Sequence, residues 1–158
     1  MKTRNIISKD NAFMARIIRD SLKEFNAAKP GTVYFDDNTD RLSEVFTMPR
    51  SAYFVIDIGG ELAGGAGIYP TQGLPPDTCE LVKMYVSKRF RGNGYGQMLL
   101  DQCTLQAKKE GFTRIYIESM PELSYALGMY KKNGFEFIPG PMGNSGHTGC
   151  DLWMIKDL

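Results

Sequence analysis

Histidine is all but missing from this chain, with His147 the sole example, and only three cysteines occur, Cys79, Cys103 and Cys150. An odd number of thiols scattered at no metal-ligand spacing is not a disulfide framework; it reads as reduced cysteine in a cytoplasmic protein. His147 and Cys150 could form half of a metal site, but no second half exists, so no metal is expected. Charge of one sign is equally lacking. Nineteen Lys and Arg face 18 Asp and Glu, a formal net charge of +1. That leaves no basic excess to neutralise a phosphate backbone and argues against nucleic acid as a partner. No apolar run approaches the ~20 residues of a membrane-spanning helix, and the N-terminus shows no signal-peptide pattern. Without repeats, charge blocks or low-complexity tracts, the 158 residues are expected to form one domain, long enough to bury its own core.

What the chain does have is a regular succession of periodic segments. Arg4 to Ser8 reads as a short first strand. Asp10 or Asn11 is placed to cap a helix in which Phe13, Met14, Ile17, Ile18, Leu22 and Phe25 recur at three- and four-residue spacing, until Lys29-Pro30-Gly31 ends it. The polar loop Asp36 to Asp40 opens a shorter helix through Leu42, Val45 and Phe46, closed by Met48-Pro49-Arg50. Ser51 to Ile58 and Glu61 to Tyr69 are strands around a tight Gly59-Gly60 turn. The second of them is crowded with small residues, Ala63 to Gly67, which implies that something packs closely on it. A Pro/Gly loop from Thr71 to Asp77 follows. Beyond position 94 come a helix with Tyr95, Met98, Leu99, Cys103 and Ala107 on one face, a strand from Arg114 to Glu118, and a helix starting at Pro121. That last helix lines up Leu123, Ala126, Leu127 and Tyr130 and is capped by Asn133-Gly134. Phe135 to Ile138 and Asp151 to Ile155 are the last strands, joined by a flexible loop. This order predicts an α/β (α+β) fold: a mixed, mostly antiparallel sheet of about seven strands, covered by about four helices.

The centre of the chain is the stretch from Cys79 to Gln97. Leu81 to Val86 is a largely apolar strand with Lys83 as its one charge, the pattern of a strand covered on both faces. Arg91-Gly92-Asn93-Gly94-Tyr95-Gly96 follows, with glycines at alternate positions, and a helix begins at once. Glycine lets a ligand lie against main-chain N–H groups, and the first amides of a helix have no internal partners and carry partial positive charge. With Arg89 and Arg91 beside it, the segment is suited to phosphate. Its glycine spacing is not the Gly-x-Gly-x-x-Gly of dinucleotide folds, and no Gly-Lys-Ser/Thr of a Walker loop is present.

The segment does resemble motif A of the GNAT superfamily of N-acetyltransferases, Arg/Gln-x-x-Gly-x-Gly/Ala, through Arg91, Gly94 and Gly96. A second family pattern, Ala-x-x-x-Tyr-x-x-x-Gly-Phe, is matched about thirty residues later by Ala126, Tyr130, Gly134 and Phe135. The order of elements is also the family's, so the resemblance spans nearly the whole chain. It implies acetyl-coenzyme A as co-substrate, with Arg91, Gly92, Asn93, Gly94, Tyr95, Gly96 and Gln97 around its pyrophosphate. The backbone of Met84, Tyr85 and Val86 would lie along the pantetheine arm. Where many members have an Asn that contacts the coenzyme, this chain has Leu123, leaving Ser119 or Ser124 to take the contact. Many members also pair their C-terminal strands into a homodimer.

Moving an acetyl group to an amine requires a base, because an alkylammonium with a pKa of about 10 cannot attack. Strand alternation puts Glu80, Val82, Met84 and Val86 on one face, so a single carboxylate stands in an apolar row, where desolvation raises its pKa. The family places a catalytic glutamate at this position. Tyr130 corresponds to the residue that many members hold near the coenzyme's sulfur, which implies the role of acid. Cys79 faces away from Glu80 and has no histidine near it in sequence, so direct attack is favoured over a covalent cysteine route. By the same resemblance, Tyr34 to Asp37 and Asn144 to Cys150 flank a small-molecule or peptide amine. The acidic pair Asp36 and Asp37 would suit a cation.

Overall fold

The computed structural model describes residues 1–158. One seven-stranded sheet runs through it: β1 (Lys2–Asn5), β2 (Ala52–Ile58), β3 (Glu61–Tyr69), β4 (Thr78–Val86), β5 (Arg114–Ser119), β6 (Glu136–Ile138) and β7 (Leu152–Asp157). Its spatial order is β1-β2-β3-β4-β5-β7-β6. Every pairing is antiparallel except β4 with β5, which is parallel. Helices α1 (Asn11–Glu24) and α2 (Leu42–Val45) cover one face, and α3 (Tyr95–Lys109) and α4 (Ser124–Lys132) the other. No helix is long and apolar enough to cross a membrane.

Two apolar layers follow from the sequence periodicities. Met14, Ile18 and Leu22 of α1 meet Leu42, Tyr53 and Val55 above the sheet. Leu99, Leu100, Cys103 and Ala107 of α3 meet Ile56, Leu81, Ile115 and Ile117 below it. Several expected boundaries shift. The first strand is Lys2–Asn5, because Ser8 to Asp10 turns into a single 3-10 turn. Asp10 takes the position before α1, but its side chain bonds none of the helix's first amides. Asp10 instead accepts from the Ile7 amide at 2.9 Å and pairs with Arg4 at 2.7 Å, and Asn11 bonds Ser43 across the layer. Phe13 stands in solvent rather than in the apolar stripe. Pro121 opens a 3-10 turn, and α4 itself begins at Ser124.

The small residues of β3 make room for an aromatic ring. A Cβ on Gly65 or Gly67 would lie 2.6 or 2.7 Å from the ring of Tyr53, which stacks on Phe46 with centroids 5.0 Å apart. Gly64 is tighter still: its Cβ would lie 2.4 Å from the Tyr85 carbonyl oxygen.

Candidate functional site: a cleft where the sheet splits

Strands β4 and β5 pair only from Thr78 to Glu80, opposite Arg114 to Tyr116. Past Glu80 they part, and a cleft of about 980 Å³ opens between them, continuing to the start of α3 and the inner side of α4. An open strand edge inside the protein leaves main-chain groups of β4 facing the cleft, which a ligand with amide groups can pair.

At one end stands the glycine loop. Gly92 and Gly94 both have φ of +79°, and Gly94 is the residue before the first turn of α3, with no side chain capping the amides that follow. Nothing lies within 4 Å of a Cβ placed on either glycine, so the loop's outer surface is open. These are the features of an anion cradle. Gly92, Gly94, Tyr95, Gly96 and Gln97 line the cleft as expected. Asn93 does not; its amide turns back to donate to the Phe90 carbonyl at 3.0 Å. Arg91 lines the cleft with its charge already engaged. Its guanidinium bonds Glu24 and the Val86 carbonyl, both at 3.0 Å, and sits 4.8 Å over the Phe25 ring. It therefore fastens the loop to α1. Gln97 is similarly occupied, exchanging hydrogen bonds with Asn133 at 2.8 and 2.9 Å and so tying α3 to α4.

The middle of the cleft departs from simple alternation. Lys83 has φ of +50°, and Val82 and Tyr85 pair with Gly67 and Gly65, so two residues of β4 oppose Ala66 alone. This β-bulge reverses which residues face which layer. Cys79 and Leu81, then Met84 and Val86, pack toward α3, whereas Tyr85 joins the α1 layer. The row expected from alternation, Glu80 with Met84 and Val86 on one face, is thus broken between Val82 and Met84. The Tyr53 hydroxyl donates to the Lys83 carbonyl at 2.7 Å and holds the bulge in place. Met84, Tyr85, Val86, Ser119, Ser124 and Tyr130 all line the cleft. Tyr130 packs its ring on Phe135, and burial pushes its phenol pKa above the usual value, so the hydroxyl keeps its proton.

At the other end lies a group of charges, in which Glu80, Asp36 and His147, expected near the acceptor, are joined by Lys83 and Glu118, which sequence reasoning missed. Glu80 is 3% exposed and accepts from the Thr71 hydroxyl at 2.8 Å. Burial first, and then the charge of Glu118, push its carboxyl up to about 7; the Thr71 hydroxyl, His147 and Lys83 oppose this only in part. Glu118 on β5 accepts from the Tyr116 hydroxyl at 2.7 Å and from the Ser145 hydroxyl. Asp36 takes hydrogen bonds from Lys83 Nζ at 2.9 Å and His147 Nε2 at 2.8 Å. Burial would raise Asp36, but His147 and Lys83 outweigh it and hold the carboxylate at about 2. Burial likewise disfavours charge on His147, and Asp36 more than offsets it, so the imidazole is raised. Of the expected flanking residues, His147 and Cys150 line the cleft, joined by the neighbouring Val33, whereas Phe35 is exposed. One signal could have found Glu118: it shares the face of Tyr116, opposite the buried pair Ile115 and Ile117. Oxygens of Glu80 and Glu118 and a ring nitrogen of His147 lie within 4.8 Å of one another, the one group in the chain with the ligand types for a metal.

The arrangement has known counterparts. The model of the Acetyltransferase (GNAT) family matches residues 14–135. The chain is 37% identical to an uncharacterized N-acetyltransferase, YjgM, of Escherichia coli K12, over 98% of this chain and 93% of that protein. A GNAT-family acetyltransferase from Staphylococcus aureus Mu50 superposes with a TM-score of 0.87 at 17% identity, covering 99% of this chain and 98% of that one. The acetyltransferase YncA of Salmonella typhimurium, solved with its cofactor acetyl-CoA, superposes at 0.77 with 19% identity, over 99% and 93% of the two chains. Cleft, glycine loop and sequence relatives agree, and this chain belongs to the acetyltransferase (GNAT) family, an acyltransferase built on that family's split sheet.

Proposed function

We propose that the protein transfers the acetyl group of acetyl-coenzyme A to a primary amine, with both substrates held together in the cleft. One observation carries this reading: a single cleft, opened by the parting of β4 and β5, has a backbone anion cradle at one end and a buried carboxylate of raised pKa at the other. Its volume, at the large end for ligand sites, and its apolar lining by Met84, Val86, Phe90, Tyr95 and Met129 suit a long nucleotide thioester. The relative solved with acetyl-CoA supports the same choice.

The coenzyme supplies an acetyl group activated as a thioester. Amides of Gly92 to Gln97 would hold its pyrophosphate, the main chain of Met84 to Val86 its pantetheine arm, and Ser119 and Ser124 line the facing wall. The acceptor arrives protonated, and Glu80 removes its proton. A carboxylate at about 7 is half ionised near neutral pH, where it balances availability against basicity. Tyr130, which retains its proton, serves as the acid toward the departing sulfur. Burial, followed by the charges of Glu118, Glu80, Asp151 and Asp36, pushes the Cys150 thiol up to about 12. It is therefore a poor nucleophile, which favours direct attack by the amine.

The test is calorimetry with acetyl-coenzyme A, using adenosine triphosphate and a dinucleotide as controls, followed by release of free coenzyme in the presence of primary amines. Selective binding and amine-dependent release are expected. Binding that no amine discharges would refute catalysis, and no binding would refute the cradle.

A further inference from the structure

The acceptor end of the cleft carries one more carboxylate than a single base requires. Glu80 projects from β4 and Glu118 from β5 just where the strands part, and with His147 their polar atoms lie within 4.8 Å of one another. The Glu118 side chain is only 5% exposed. Hydroxyls of Tyr116 and Ser145 each donate to one of its oxygens, which leaves lone pairs on both. Of the cations nearby, Lys83 is paired with Asp36, and His147 gives Nε2 to Asp36 while Nδ1 stands 3.8 Å from Glu118. Cys150 and Tyr116 complete the titratable groups around the pair, and both stay protonated near neutral pH.

The span of the group admits an ammonium: two N⁺–H···O⁻ bonds of about 2.8 Å from one tetrahedral nitrogen place their acceptors about 4.6 Å apart, inside the 4.8 Å that bounds the group. A zinc ion with bonds of about 2.1 Å would draw its ligand atoms to about 3.4 Å, closer than the 3.8 Å that separates His147 Nδ1 from Glu118. The surroundings also limit the size of the guest. The segment from Gly143 to Gly149 packs on Glu118 and Asp36 and is fastened at four points. Asn144 donates to the Gln72 carbonyl at 2.8 Å, Ser145 to Glu118, His147 to Asp36 at 2.8 Å, and Gly149 to the Gly31 carbonyl at 2.9 Å. At Gly149 the approach is so close that a Cβ would lie 2.7 Å from the Pro30 carbonyl oxygen.

We propose that Glu118 is a second substrate-binding carboxylate that, with Glu80, receives the acceptor as its ammonium ion, and that the acceptor is a compact primary amine with no carboxylate beside the amino group. An α-carboxylate would sit against Glu80 and Glu118 with no unpaired cation to meet it, and the fastened segment beside them leaves less room for a peptide chain than for a compact amine. The inference rests on the acetyl-transfer reading.

Initial rates with acetyl-coenzyme A test it on matched pairs: butylamine against norvaline, 2-phenylethylamine against phenylalanine, and trialanine as a peptide. Wild type should favour each amine over its amino-acid counterpart and over trialanine by at least tenfold in kcat/KM. On the better amine, Glu118→Gln should raise the amine KM tenfold or more and leave the KM for acetyl-coenzyme A unchanged. Glu118→Asp should recover part of the loss, which separates binding from misfolding. Equal use of amino acids or peptide, or an unmoved amine KM in Glu118→Gln while wild type turns over, would overturn this inference and leave acetyl transfer standing. Turnover abolished by EDTA and restored by zinc would overturn it in favour of a metal. Wild type that discharges acetyl-coenzyme A to no amine would overturn both readings.

Discussion

Replacing Glu80 by glutamine keeps the shape of the side chain and a carbonyl oxygen for the Thr71 hydroxyl, while removing the proton site. In the folded protein that site titrates at about 7, against 4.5 for an ordinary glutamate. Each pKa unit is worth about 1.4 kcal/mol, so a fully ionised Glu80 costs the fold about 3 kcal/mol. Below pH 4.5 the carboxyl is protonated in both folded and unfolded chains, and the cost is absent. As pH rises through 4.5 the unfolded chain ionises first, and stability declines until the folded site also ionises near 7 and the loss levels off. Glu80→Gln has no such titration. Its stability relative to wild type should therefore grow by about 2–3 kcal/mol between pH 5 and pH 8, roughly 5–10 °C in melting temperature for a chain of this size. Thermal unfolding of both proteins across that range reads the difference directly. The same variant should lose most of its acetyl-transfer rate at neutral pH and less at high pH, where more of the amine is already free. A melting-temperature difference that stays constant with pH would refute the raised carboxyl, and a rate loss equal at every pH would refute its role as base.

Two other perturbations test the cradle and the packing that supports it. Gly94→Val puts a branched residue at φ +79°, at a backbone cost of about 1–2 kcal/mol. It should weaken acetyl-coenzyme A binding by tenfold or more, and unchanged affinity by calorimetry would remove the pyrophosphate assignment. Gly64→Ala would force a methyl to within 2.4 Å of the Tyr85 carbonyl, whereas Gly128→Ala in α4 meets nothing within 4 Å. The first should destabilise the fold by several kcal/mol, and the second should be neutral or stabilise it by a few tenths to 1 kcal/mol; equal melting temperatures would contradict the close packing of β3 on β4.

The order of elements was legible because each segment's periodicity is strong and local. The apolar face of α1 and the glycine punctuation around α3 point to the same layers that form. That Glu80, Tyr130 and most of the loop lie along one cleft was legible for a similar reason, since their places follow from a strand and two short motifs. Three things were not. The bulge at Lys83 is invisible to alternation, because nothing in Val82-Lys83-Met84 marks a left-handed residue, and the Tyr53 hydroxyl that fixes it comes from another strand. Arg91 reads as a phosphate ligand until Glu24, 67 positions away, is seen to take its charge. Glu118 and His147 meet only because the loop after β6 folds back across the sheet, a contact between residues 29 positions apart that no window of sequence contains.

The bulge also has a consequence for how the two proposed substrates would be kept in register. It sits between Glu80 and the stretch from Met84 to Val86, so the proposed base and the side chains beside the proposed acyl donor turn to different layers. The bulge is held by a hydroxyl on β2, whose ring is wedged among the glycines of β3. Tyr53 is buried and absent from the lining of the cleft, yet on the proposed mechanism the alignment of base and thioester would be registered on it. On the proposed mechanism the apolar layer would thereby hold donor and acceptor in register from outside the cleft.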